Sequence, residues 1–125
     1  MTDTEKLYET MGELLYVLAK ADGVIQEEEV NKLNELLKGH QWAKDVKWSF
    51  DYETAKENEV EDVYQKVLTA CHSIGPSPIY EEFISSMNAI ANADNKVDEN
   101  ESEVIHSFSH DLIERFKKDL SNIRR

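Results

Sequence analysis

A chain of 125 residues is long enough to form one domain with a continuous core that needs no disulfide or structural metal. Its 26 acidic against 14 basic residues leave a formal net charge of -12. That sign opposes binding to a phosphate backbone, so no nucleic-acid partner is expected, and cations or basic protein surfaces are favoured instead. The single cysteine, Cys71, excludes an intramolecular disulfide framework and fits a reducing compartment.

With only four Gly and two Pro, and apolar residues recurring every three or four positions, the expected class is all-α. No apolar run approaches the roughly 20 residues that span a bilayer, so no membrane insertion is expected. The start, Met1-Thr2-Asp3-Thr4-Glu5-Lys6, is polar and lacks a secretion signal, which points to a cytoplasmic protein.

From Thr4 to Ala21, Leu7, Met11, Leu14, Leu15 and Leu18 form the stripe of a helix that buries one face. Asp22-Gly23 ends it. A second helix opens near Gln26 with three glutamates at its positive end, turns Val30, Leu33 and Leu36 or Leu37 inward, and stops at Gly39. Over residues 40–59 the aromatics Trp42, Trp48, Phe50 and Tyr52 alternate with charges, which suggests a short amphipathic helix, then a loop, with the rings as bulky core plugs. The acidic run Glu53, Glu57, Glu59, Glu61 and Asp62 reads as solvated surface or a helix start.

Val60, Val63, Tyr64, Val67, Leu68 and Cys71 mark a further helix with the cysteine on its buried stripe. Gly75-Pro76-Ser77-Pro78 breaks the chain, and the next helix starts about Pro78 and buries Phe83, Ile84, Met87, Ile90 and Ala91. Asp98 to Arg125 contains no Gly or Pro, and Ile105, Phe108, Leu112, Phe116, Leu120 and Ile123 continue one stripe, so a single long or once-bent helix with a basic end is expected.

Two of these stretches match each other. Leu18 to Glu29 and Ile90 to Glu101 are displaced by 72 positions, with Ala19/Ala91, Ala21/Ala93, Asp22/Asp94, Glu27/Glu99 and Glu29/Glu101 identical. Each reads as a helix end, a tight Asp-Gly or Asp-Asn turn, an inward Ile25 or Val97, and an acidic helix start. The expected architecture is a single-domain helical bundle with a pseudo-twofold internal repeat, its halves about 4–38 and 78–125, linked by 40–75.

Asp22-Gly23 to Glu29 has the spacing of the second half of an EF-hand loop, but the first and third ligand positions hold Leu18 and Lys20 in one copy and Ile90 and Asn92 in the other. An EF-hand calcium site is therefore not expected. Capping and turn chemistry account for every residue of the repeat without a ligand. They do not explain why carboxylates gather at both corners.

The pattern Ala-x-Ala-Asp-Gly-x-Ile-x-x-x-Glu, repeated from Ala91 to Glu101, resembles the tellurite-resistance protein B family, the TerB-like domains. The resemblance covers nearly the whole chain. It implies an all-helical pseudo-twofold bundle, an association with bacterial responses to tellurite and other stress, and metal or partner binding at acidic residues. The motif falls on Asp22, Gly23 and Glu29 in one half and on Asp94 and Glu101 in the other, where Asn95 departs from the usual glycine. A metal would be held by Asp22, Glu29, Asp94 and Glu101, with Glu28, Asp98 and Glu99 nearby, and such oxygens suit a hard divalent cation such as calcium or magnesium.

His106 and His110 have zinc-compatible spacing without an HExxH motif, and read as surface histidines. Adjacent Cys71 and His72 do not face each other on a helix. No phosphate loop, nucleophile elbow or CxxC pair occurs, so the chain is expected not to be an enzyme. The leading expectation is a stress-response domain that binds a divalent cation, an unidentified partner protein, or both. The alternative is a protein-interaction module with purely structural corners, which binds through the aromatic segment or the final helix.

Overall fold

The computed structural model describes residues 2–93 and 99–123. They form six helices and no strand: α1 (Asp3–Lys20), α2 (Glu27–Leu37), α3 (Ala43–Lys56), α4 (Val60–Ile74), α5 (Ile79–Ala91) and α6 (Glu99–Ile123). The all-α expectation holds. Among the described residues no helix is long and apolar enough to cross a membrane.

α1 is the axis of the bundle. Thr2 starts it, its hydroxyl accepting the Glu5 N–H at 3.1 Å. The stripe read from the sequence is buried, but so are Thr10, Gly12, Glu13, Tyr16, Val17 and Ala19 on the other faces. This helix therefore corrects the one-sided expectation. α3, α4, α5 and α6 all pack against it, α3 and α4 most extensively, so it has no solvent side through its middle turns.

The α1/α3 contact is the closest. A Cβ on Gly12 would run into the Ser49 hydroxyl and the Val46 carbonyl, and Ser49 Oγ donates to the Glu9 carbonyl at 2.6 Å. Hydrogen at residue 12 lets the two backbones meet.

α3 is longer than the short helix expected from 40–59. Val46, Ser49, Phe50 and Glu53, at i, i+3, i+4 and i+7, are its buried residues. Half of that face is polar, which is why the hydrophobic pattern understates the helix. The core-plug expectation holds for Phe50, and Trp42 packs half-buried on the core, but Trp48 is 62% exposed and Tyr52 44% exposed. Those two rings stack on each other at 5.5 Å instead.

α4 buries Val63, Tyr64, Val67, Leu68 and Cys71 as expected. Gly75, at φ +98°, ends it. The Tyr80 hydroxyl then donates toward the Gly75 and Cys71 carbonyls at 2.7 and 3.0 Å, tying α5 to the end of α4. Pro78 caps α5 from just outside.

α6 runs for 25 residues, but its stripe does not stay inside. Phe108 and Leu112 are buried, whereas Leu120 is 53% and Ile123 77% exposed. The helix outlasts the bundle it packs on.

Because Gly12 sits where no side chain fits, Gly12→Ala is expected to lower stability by about 1–3 kcal/mol through overpacking, despite alanine's better helix propensity. Denaturant unfolding measures it. A variant as stable as the parent would mean that α1 and α3 can separate at no cost.

Candidate functional site

The first acidic corner is built from local chemistry. α1 ends with Ala21 N–H donating to the Leu18 carbonyl at 3.2 Å and Gly23 N–H to Lys20 at 2.8 Å. Gly23 takes φ +96°. The Asp22 carboxylate accepts the Val24 N–H at 3.1 Å, an Asx turn that leaves this side chain at the surface. Ile25 packs half-buried on the core. Glu29 then reaches back to accept the Gln26 N–H at 3.1 Å, the reciprocal half of a capping box.

Asp22 and Glu29 thus serve different backbone donors. Asp22, Glu27 and Glu28 are exposed, whereas Glu29 is only 4% exposed. The N-terminal partial charge of α2 favours these carboxylates.

At the second corner, Ala93 N–H donates to the Ile90 carbonyl at 3.1 Å, as Ala21 does to Leu18. Glu101 is also 4% exposed in the first turn of its helix, and Glu99 is exposed. The turn itself, with Asp94 of the expected ligand set and the neighbouring Asp98, falls within 94–98, outside the described residues. Among the described residues no three His, Cys, Asp or Glu side chains gather closely enough to hold a metal ion.

A second acidic constellation escaped the sequence reading. Glu53, 1% exposed on α3, and Glu13, 9% exposed on α1, converge on Lys66 of α4. The Lys66 ammonium lies 2.8 Å from Glu53 Oε1 and 3.2 Å from Glu13 Oε2. Asn58 Nδ2 donates to the other Glu53 oxygen at 2.7 Å, and the Tyr16 hydroxyl donates to the Asn58 carbonyl at 2.8 Å. Burial pulls the lysine pKa down, but the Glu53 hydrogen bond and the Glu13 carboxylate outweigh it and hold the ammonium above its ordinary value. Burial pushes Glu13 above the usual carboxylate range, with Lys66 only partly offsetting it. This cluster carries its own cation and ties three helices together. No apolar stripe marks it in the sequence: Glu13 lies off the stripe of α1, and Glu53 looks like part of a solvated acidic run.

A third polar knot joins α1, α5 and the α2–α3 connection. The Tyr8 hydroxyl donates to Glu82 Oε2 at 2.7 Å, and His40 Nε2 lies 2.6 Å from Glu82 Oε1. His40 Nδ1 accepts the Trp42 N–H at 2.9 Å, so the ring proton of the neutral imidazole sits on Nε2, facing the carboxylate. Burial, then the Glu82 hydrogen bond, raises the Tyr8 hydroxyl to about 12.

The remaining candidates read from sequence are placed plainly. His106 and His110 are exposed. Cys71 is fully buried, and burial pushes its thiol up to about 12, which keeps it protonated and poorly nucleophilic.

The Glu13 shift predicts a pH signature. A carboxyl whose folded pKa is raised takes up its proton more readily in the folded state, so the parent gains stability relative to Glu13→Gln as pH falls from 7 through the raised pKa. The gain levels off below the ordinary carboxylate value of about 4.3. Thermal melts of both proteins from pH 7 to pH 4 read it, and parallel curves would place Glu13 in an ordinary aqueous environment.

The family model described as Tellurite resistance protein TerB matches residues 9–120, and the chain belongs to that family. No curated protein and no solved structure matches it.

Proposed function

We propose that this TerB-family chain is a non-enzymatic tellurite-resistance-type domain that binds a divalent cation, a partner protein, or both, through its acidic corners. The observation that carries this reading is the pair Glu29 and Glu101, 72 residues apart and each 4% exposed in the first turn of its helix. Exposed acids flank each of them: Glu27 and Glu28 at one, Glu99 at the other. Burying a carboxylate is costly, and a helix start needs only a cap, which Asp or Ser at the surface provides as well. Two buried carboxylates at matching places support a role beyond capping. Carboxylate oxygens suit hard ions such as calcium or magnesium, with Asp22, Glu29, Asp94 and Glu101 as the proposed ligands. A bound cation would in turn lower the repulsion within each corner and present a less negative face to a protein partner.

Calorimetric titration of the metal-free chain with calcium, magnesium, manganese and zinc tests this, together with melts in each ion. A ligand that binds only the folded state adds about 2.7 kcal/mol at 100 times its dissociation constant, which raises the melting temperature visibly. Saturable heat that vanishes in Asp22→Asn/Asp94→Asn is the expected result. A flat titration with all four ions would remove the cation from the reading.

The exposed Trp48/Tyr52 stack favours a second reading, a protein-interaction module whose corners only shape the fold. Tryptophan and tyrosine are the residues over-represented where binding energy concentrates. If Trp48 is kept for binding, Trp48→Ala changes stability by no more than about 0.5 kcal/mol. Trp42→Ala, which loses a ring stacked on Tyr8 at 5.5 Å and packed on the core, is destabilising by about 1–3 kcal/mol. Equal losses in denaturant unfolding would make Trp48 a structural residue.

A further inference from the structure

A groove of about 490 Å³ lies between the end of α2 and the first half of α3. Buried Leu37, half-buried Ala43 and the exposed Trp48 indole give it an apolar lining. Tyr52, stacked on Trp48 at 5.5 Å, restrains that ring, so little freedom is lost when a ligand meets it. The charged lining reverses the balance of the chain. Three bases, Lys38, Lys44 and Lys47, and one acid, Asp51, face the groove, in a sequence with 26 acids and 14 bases. Asp51 is taken up by Lys47 at 3.0 Å. Lys38, just past the end of α2, and Lys44, one turn before Trp48, are exposed, and no carboxylate of the described residues lies within ion-pair distance of either.

We propose that this groove takes a short acidic segment of a partner protein, with a large apolar side chain set against Trp48 and Leu37 and carboxylates on Lys38 and Lys44. The inference rests on the interaction-module reading, to which it adds the chemistry of the partner. Charge complementarity selects the occupant: two unpaired ammoniums beside an apolar lining ask for acids next to an apolar group. Screening confines that attraction to about 8 Å, so a short segment meets only the local bases. A nucleic acid or an anionic bilayer extends its charge well past the groove and meets the net charge of -12 as repulsion. A second copy would have to offer one of its acidic corners, a head-to-tail contact that does not close and that adds -12 with every copy.

Fluorescence anisotropy tests this on the full chain. The probe is a labelled peptide of about eight residues with a central Phe among Asp and Glu, and two controls replace every acid by its amide or by Lys. The acidic peptide is expected to bind saturably, and less tightly as salt rises. The amide peptide should bind about tenfold more weakly, and the Lys peptide not at all. Lys38→Glu/Lys44→Glu should weaken the acidic peptide about tenfold or more and let the Lys peptide bind, with no change in melting temperature. Trp48→Ala should weaken it about tenfold. The proposal is overturned if the acidic peptide fails to bind, or if Lys38→Glu/Lys44→Glu leaves its affinity unchanged. Equal binding of the acidic and amide peptides, lost in Trp48→Ala, would overturn the acidic partner and leave the interaction-module reading standing. That reading falls by a separate measurement, the stability of Trp48→Ala. Tighter binding of oligothymidylate or phosphatidylglycerol vesicles at the same lysines, or sedimentation as a dimer that Lys38→Glu/Lys44→Glu dissolves, also overturns the proposal.

Discussion

The enclosure of α1 is the constraint on which the rest of the structure depends. A helix surrounded by four others must offer each a surface that fits, and the residues of α1 divide accordingly. Leu14, Leu15 and Leu18 fill core volume, Gly12 removes volume so that α3 can approach, and Glu13 brings a charge that only a matching lysine can tolerate. Close packing makes each choice depend on the others, because an interior at crystal-like density has no slack to absorb a misplaced methyl group. The position of α3, and with it the outward presentation of Trp48 and Tyr52, follows from a missing side chain at residue 12.

Buried carboxylates are the second organising feature. Glu13, Glu29, Glu53 and Glu101 are all withdrawn from water, in a chain already rich in negative charge. The molecule deals with them differently at its two levels of organisation. Glu29 is held by local backbone geometry, the Gln26 N–H at the start of its own helix. Glu13 and Glu53 are held across the fold by Lys66, with Asn58 and Tyr16 behind. A charge pair of this kind contributes little to net stability relative to an apolar substitute, but it penalises any packing that separates the partners, and so favours one arrangement of α1, α3 and α4.

Surfaces of different charge and composition accompany this division. Acids cluster at the helix starts, where helix dipoles favour them, and the second half of α6 carries Arg115, Lys117 and Lys118 on a helix with exposed apolar side chains. A molecule charged in this uneven way presents surfaces of different charge at its different ends. The aromatic stack on α3 adds a third surface with the composition of a contact site.

What the sequence by itself determined is what short-range physics determines. The helical class, the limits of α1, α2, α4 and α5, the Asx turn at Asp22 and the Glu29 cap rest on periodicity and on contacts between residues two to four apart, and all were legible. The family motif lies in the same corners. Only the tertiary structure decided which acids are buried, why residue 12 is glycine, which aromatics face out, and where the α6 stripe stops being covered. Those answers hang on pairs far apart in the chain, Ser49 with Glu9, Lys66 with Glu53 and Tyr8 with Glu82. A stripe shows that a helix has a face to bury, but how far that face is covered depends on the length of the helices that come to lie beside it.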